Sequence, residues 1–332
     1  MPSTECKRVA GPHSMPKLPP EILELIVEAV LPPNRRALIP ASHSATKTLM
    51  ALARVSKSTY GIASKLLRQQ CLYLDTSKRL DDVLLCLQRC VPTMLQTSSL
   101  RNITSLYLAP FGTSLDDEPI AKSVRELFYE VSPSLRRLVV EMPFSSLDPL
   151  EDHLNVRRTL REGFEQLTRL TEFVCLGDYP ALSVVDAYTD VWRLWPDLRR
   201  LVLFNVPADS HWLWWDIATL SRLEHVVLAR VRRLESTNIK DEYFHKLPPD
   251  DERLDRPINV VLVDGAYEMQ EVRTERWKQI DPEGRMTVFK YETPIAFYAD
   301  EAVDEAVTSW TRRAALNGTI WNWEGELVVT RS

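Results

Sequence analysis

Residues able to do chemistry are sparse in this 332-residue chain, and few of them stand at the spacings that chemistry needs. Cys86 and Cys90 are four apart on a helical pattern, which would put two thiols on one face. No second ligand pair lies near them, so buried thiols are expected rather than a metal centre. His153, His211, His225 and His245 do not pair at three or four residues, and no Gly-x-Ser-x-Gly nucleophile turn occurs. Asp116-Asp117 and Asp250-Asp251 fall in polar, proline-containing loops where solvation accounts for them. The nine glycines form neither Gly-x-Gly-x-x-Gly nor a phosphate loop, and Gly177-Asp178 and Asp264-Gly265 read as tight turns. Catalytic residues, a cofactor and a metal are therefore not expected, and the chain is read as a non-enzyme. Two arginine pairs, Arg136-Arg137 and Arg199-Arg200, recur at matching places, with Arg230, Arg232 and Arg233 later. They are either solvated charge paired with glutamates or a basic edge able to grip carboxylate or phosphate.

The elements that would position these groups repeat along the chain. An apolar triplet spaced one, four, six begins at Ile103 (Leu106, Leu108), Leu135 (Leu138, Val140), Leu170 (Phe173, Cys175), Leu198 (Leu201, Leu203), Leu223 (Val226, Leu228), Ile258 (Val261, Val263) and Met286 (Phe289, Tyr291). Helical patterns lie between, as in Ile120, Val124, Leu127, Phe128 and Val131, or Val184, Val185, Tyr188, Val191 and Trp192. A strand and a helix repeated at 25–35 residues predict parallel strands joined by crossovers, adjacent in sequence order. A doubly wound α/β enzyme alternates in the same way, but its ligand site needs the glycine-rich turn that is missing here.

The triplets resemble leucine-rich repeats over residues 101–292, although Phe111, Pro143, Asp178, Val206, Val231 and Ala266 stand where that family has Asn or Cys. The resemblance implies an irregular arc of repeats rather than a regular horseshoe. Its strands alternate faces, and the fifth position of each repeat, Tyr107, Val139, Val174, Val202, Val227 and Leu262, is apolar throughout, so both faces of the sheet are expected to be covered. Two covers are open. One is the C-terminus, where Val303, Val307 and Trp310 mark a helix ending near Asn317-Gly318, followed by Trp321 and Trp323. The other is a substrate segment, held on a floor of Val202, Val227 and Leu262, extended by Phe204 and His225, with Arg200 at the rim. Among the clustered tryptophans, Trp212 and Trp215 share a helix face at i, i+3, which leaves Trp214 as the one expected to be exposed.

Ahead of the repeats stands a pattern of three short helices. Pro19 and Pro20 open the first, Ile22, Ile26 and Val30 recur along it with Leu23 and Val27 beside them, and Pro32-Pro33 stop it. Leu49, Leu52 and Val55 carry the second, and Ser56 is the N-cap of the third, which has Tyr60, Ala63 and Leu67 on one face. The run Leu18-Pro19-Pro20-Glu21-Ile22-Leu23, with Leu52-Ala53-Arg54-Val55-Ser56-Lys57-Ser58-Thr59-Tyr60, resembles an F-box. That family docks substrate receptors on the Skp adaptor of cullin–RING ubiquitin ligases. The connection from Pro32 to Thr46 is longer than the family's usual one. The resemblance implies that Leu18, Pro19, Ile22, Leu23, Ile26, Leu52, Val55, Ser56 and Tyr60 contact the adaptor. An F-box followed by degenerate repeats resembles proteins numerous in filamentous fungi, whose repeats select a protein for ubiquitination. The other reading is a scaffold or binding protein whose N-terminal helices merely cap the repeats.

The expected organisation is thus α/β: a disordered tail (1–15), an F-box-like helical module (16–75), a helical linker (76–100), a leucine-rich-repeat-like solenoid with a parallel sheet (101–292) and a C-terminal helical cap (293–332). A net charge of −5 argues against a general nucleic-acid binder, and no apolar run is long enough to span a membrane. Five cysteines without regular spacing and the lack of an apolar segment after Lys7-Arg8 point to a cytoplasmic or nuclear protein with free thiols.

Overall fold

The computed structural model describes residues 18–34, 36–88, 103–184, 189–266, 268–294 and 302–329, so Cys90, Val185, Tyr188 and the expected tail lie outside the described residues. Three helices come first, α1 (Pro20–Glu28), α2 (Ser44–Leu52) and α3 (Lys57–Gln70). Their small core is Val27, Leu49, Ala63 and Leu66. Ser56 caps α3 as expected, accepting from Thr59 N while the Thr59 hydroxyl accepts from Ser56 N. Val55, placed by periodicity in the second helix, lies in the turn after it, because α2 ends at Leu52.

Beyond them the described residues form one sheet of nine strands in sequence order, with helices on either face: β1 (Tyr73–Leu74), β2 (Ser105–Leu108), β3 (Arg137–Glu141), β4 (Glu172–Leu176), β5 (Arg200–Phe204), β6 (His225–Ala229), β7 (Ile258–Gly265), β8 (Met286–Thr293) and β9 (Glu326–Leu327). Neighbours are parallel from β1 to β8, and β9 returns antiparallel on β8. The order never reverses, so this sheet has no topological switch point of the doubly wound kind. The sheet opens at Tyr73, inside the stretch read as the helical module, and closes within the stretch read as a cap.

Helices α4 (Ser77–Gln88), α5 (Glu118–Val131), α6 (Val156–Glu165), α7 (His211–Thr219), α8 (Ile239–Phe244) and α9 (Trp277–Ile280) cover one face. Between β4 and β5 the described residues hold only a 3-10 turn at Val191–Leu194, where a full helix was expected. The outer layer packs on the strand residues that the triplets named, with Phe128, Phe164, Phe173 and Trp195 in edge and stacked contacts at its centre. Gly163 lets α6 approach α5 closely, since a Cβ there would lie 2.9 Å from Arg125 Cα.

In β7 the triplet slips by one residue. Val260 and Leu262 pair with Val226 and Leu228 and face the helices, while Val261 pairs with Val227 on the other face. The run from Ile258 to Val263 holds four consecutive apolar residues, so either alternation satisfies it, and the continuous period-two strand from Ile258 decides the matter. The same slip sends Val288 of β8 into the helix-side core in place of Phe289.

The opposite, inner face is crossed by α10 (Val303–Asn317), which ends at Gly318 in the left-handed conformation, as the Asn317-Gly318 pair predicts. Val307, Ala314, Ala315 and then Ile320 pack on Tyr107, Val139, Val174, Val202, Phe204 and Val227. Arg312 makes a bidentate pair with Glu141 of β3, its Nε 2.6 Å from Oε2, and Arg230 Nε reaches Asp304 at 2.6 Å. The N-terminal helices are tied in here as well: Leu38 N donates to Leu316 O at 2.7 Å and Asn34 Nδ2 to Asn317 O at 2.7 Å.

Candidate functional site

Two surfaces carry the expected site residues, and the structure treats them in opposite ways. On the inner face, the floor expected to hold a substrate is core. Val202, Phe204 and Val227 lie under α10 and Ile320, and Leu262 is on the other side of the sheet altogether, among the helix-facing residues. The reason is the area at stake. A stripe of six large apolar side chains left open would forgo about 1.5–3 kcal/mol each, and the amphipathic C-terminal helix is in reach to cover it. The valines are therefore core, and no groove exists over them.

The edge of that face remains polar. In register across the strands stand Ser105, Arg137, Glu172, Arg200, His225, Asn259 and Thr287, one row below the valines. Glu172 is flanked by two guanidinium groups, Arg137 Nε at 2.5 Å and Arg200 Nη1 at 3.6 Å. Arg137 is buried and donates onward to the carbonyls of Arg36 and Ala315, so its charge is held inside by hydrogen bonds as well as by Glu172. Arg200 is half-buried and lies over the Trp321 ring, 5.8 Å from its centre. Burial, and after it the charges of Arg200 and Arg36, hold the His225 imidazole below its usual range, with Glu224 opposing. The flanking arginines are otherwise paired: Arg199 with Glu224 at 3.0 Å, Arg233 with Asp209 at 2.6 Å and Arg230 with Asp264 at 2.5 Å.

On the N-terminal module, the residues expected to contact an adaptor are largely outside. Leu18 is 54% exposed, Ile26 49%, Val55 71% and Tyr60 51%, with Pro19, Ile22 and Ser56 exposed too, while Leu23 and Leu52 are half-buried, Leu52 against the small core. None of the nine is buried. Two residues that the sequence reading missed, Leu25 and Met50, are equally exposed. Leu25 stands at i+3 from Ile22, and in Pro20–Glu28 only Glu21, Glu24 and Glu28 are polar, which signals a helix with apolar residues on two faces. One of those faces, through Val27, closes the module's own core, and the other has no cover among the described residues.

The tryptophans reverse the expectation. Trp214 is fully buried and donates to Ala208 O at 2.6 Å, whereas Trp212 is exposed. Leu213, Trp214, Ile217 and Ala218 form the inward stripe of α7, and Trp212 lies off it.

Titratable groups with displaced pKa values do meet in the outer layer. Asp216 of α7 is pushed from its ordinary 3.8 to about 7, by burial and then by Asp190, against Arg193 at 3.3 Å. The Tyr179 hydroxyl donates to Asp190 Oδ2 at 2.5 Å, and burial pushes Asp190 up. None of these lines a described cleft. The largest described cleft, of about 530 Å³, sits where strands β2 to β5 end, among Tyr73, Glu141, Asp178, Asn205 and Arg312. Its charged groups are already engaged: Glu141 is joined to Arg312, Asp75 to Arg79, and Asp178 accepts from Ser145 N. No group of His, Cys, Asp or Glu able to hold a metal occurs among the described residues, nor any helix long and apolar enough to cross a membrane. No protein-family model matches the chain and no curated protein matches it, so no relative's activity is carried over to these residues.

Proposed function

We propose that the chain is a non-catalytic adaptor: the substrate-recognition subunit of a cullin–RING ubiquitin ligase, docking on the Skp adaptor through an F-box-like module and presenting a protein substrate on an irregular leucine-rich-repeat-like domain. One observation carries this reading. Leu18, Ile22, Leu25, Ile26, Met50, Val55 and Tyr60 are exposed on the three-helix module and its turns, which already have a closed core of their own. A helical cap would turn such residues onto the repeats, whereas a docking surface leaves them bare. The substrate is captured elsewhere than on the valine stripe, which is core.

The test is co-purification of the full chain with the Skp adaptor. Leu18-Pro19→Ala-Ala and Ile22→Asp remove the adaptor while the thermal unfolding midpoint of the chain stays put, because these side chains contribute little to its interior. Anchors at an interface centre are worth about 2–4 kcal/mol each, a loss of 30-fold or more in affinity. Undiminished co-purification refutes the proposal. A second reading, a free-standing binding scaffold capped by its N-terminal helices, draws on the tie between Asn34, Leu38 and the end of α10. It expects no adaptor in the purified wild type.

A further inference from the structure

At its later strands the polar row on the inner face becomes a line of donors. Arg200, His225, Asn259 and Thr287 succeed one another in register, side by side on one face about 4.8 Å apart, and no carboxylate interrupts them. All four are half-buried, accessible from one side. Two of the N–H groups at this corner are buried without an acceptor among the described residues, Arg200 Nε and Trp321 Nε1, and Trp321 is the ring that lies over Arg200. An unmatched buried donor is uncommon in a native interior, and two at one place point to a missing acceptor. The charges agree. Arg137 and Arg200 flank the single carboxylate of Glu172, the charge of Arg36 acts on Arg137 and His225, and Glu224 nearby is already joined to Arg199. Arg36 has no ion-pair partner among the described residues, which leaves an excess of two positive charges that suits a dianion. Burial is the main cause of the depressed His225 imidazole, and the charges of Arg200 and Arg36 add to it.

We infer that the corner formed by Arg200, His225, Asn259 and Thr287, bordered by Arg36 and Trp321, binds a phosphate dianion. Arg200 and Trp321 supply the N–H donors that lack acceptors, Arg36 supplies long-range charge, and Asn259 and Thr287 offer an amide and a hydroxyl to the remaining oxygens. Arg137 is a positioning residue: it is committed to backbone carbonyls and holds Glu172 in place between the strands. The inference stands on this corner alone and is independent of whether the N-terminal helices dock on an adaptor.

Inorganic phosphate titrated calorimetrically into the full chain, at constant ionic strength, is expected to saturate one site. Arg200→Gln weakens it at least about tenfold, the loss of one charge-assisted contact. Arg199→Gln, one residue away and paired to Glu224, leaves it unchanged. Trp321→Phe keeps a ring over Arg200 but removes the N–H, and its several-fold weakening decides the matter should Arg200→Gln fail to fold. A phosphoserine tripeptide and pyrophosphate, run as competitors, separate a phosphorylated side chain from a free phosphate as the source, and displacement by either supports the site. Absence of saturation at millimolar phosphate, or equal binding by Arg200→Gln and Arg199→Gln, overturns the inference.

Discussion

Replacing Asp216 by Asn should make this protein more stable at neutral pH and remove part of its pH dependence. Asp216 is 2% exposed on α7, and its carboxyl is raised from 3.8 to about 7 by burial first and by Asp190 second, with Arg193 only partly offsetting them. The sign follows from proton counting. Between pH 4 and 7 the folded chain holds a proton on Asp216 that the unfolded chain has released, so stability falls as pH rises through that window and stays low above it. At 1.36 kcal/mol per unit, a rise from 3.8 to about 7 amounts to about 4 kcal/mol. Asn reproduces the neutral acid in size and stays neutral, and Arg193 is exposed enough to be solvated once its partner is gone. The expectation is a gain of about 2–4 kcal/mol for Asp216→Asn at pH 8 and a difference near zero at pH 4. Urea unfolding followed by circular dichroism at pH 4, 5, 6, 7 and 8 reads it directly, and comparing variant with wild type cancels the titration of His225. Parallel stability curves for the two proteins would refute the placement of Asp216 as a buried acid kept neutral.

Three further changes probe the packing. Gly318→Ala places a Cβ 2.6 Å from Arg36 Cβ at a φ of +70°, so it should lower stability by about 1–3 kcal/mol, read as a shift of the urea midpoint, and a silent substitution would contradict the described end of α10. Phe164→Ala removes the ring between Phe128, Phe173 and Trp195 and is expected to cost about 3–5 kcal/mol, with a red shift of tryptophan emission as Trp195 gains water. Val307→Asp puts an unpaired carboxylate against the inner face and should expose the valine stripe to a hydrophobic dye such as ANS, whereas an unchanged dye signal would mean that α10 does not cover it.

Strand existence and order were readable in the sequence because the first five triplets name residues that all face the helices. Where four apolar residues stand together, as from Val260 to Val263, the same rule could not choose a face, and Leu262 was assigned to the wrong one. The burial of the inner stripe was readable, but its cover was not: valines under a helix and valines under a substrate look alike until α10 is seen crossing them. The exposure of Trp212 rather than Trp214 was within reach, since Leu213, Trp214, Ile217 and Ala218 already form a helical stripe. The polar row from Arg137 to Thr287 was legible only as arginines recurring at one repeat position. What makes it a unit is register, which places Glu172 between Arg137 and Arg200 from three separate strands. Asp216 had a signal too, a lone acid within the run Trp214-Trp215-Asp216-Ile217-Ala218.

The helix that closes the inner face arrives late in synthesis. Val307 is made 80 residues after Val227, so at ribosomal speeds of roughly 5–20 residues per second the nascent sheet waits about 4–16 s with its valine side bare. During that interval the chain presents what chaperones hold and proteases find: a wide, flat, apolar β surface. A message cut short after Thr293 would leave this interval permanent, and its product should be cleared by quality control rather than persist as a shortened scaffold.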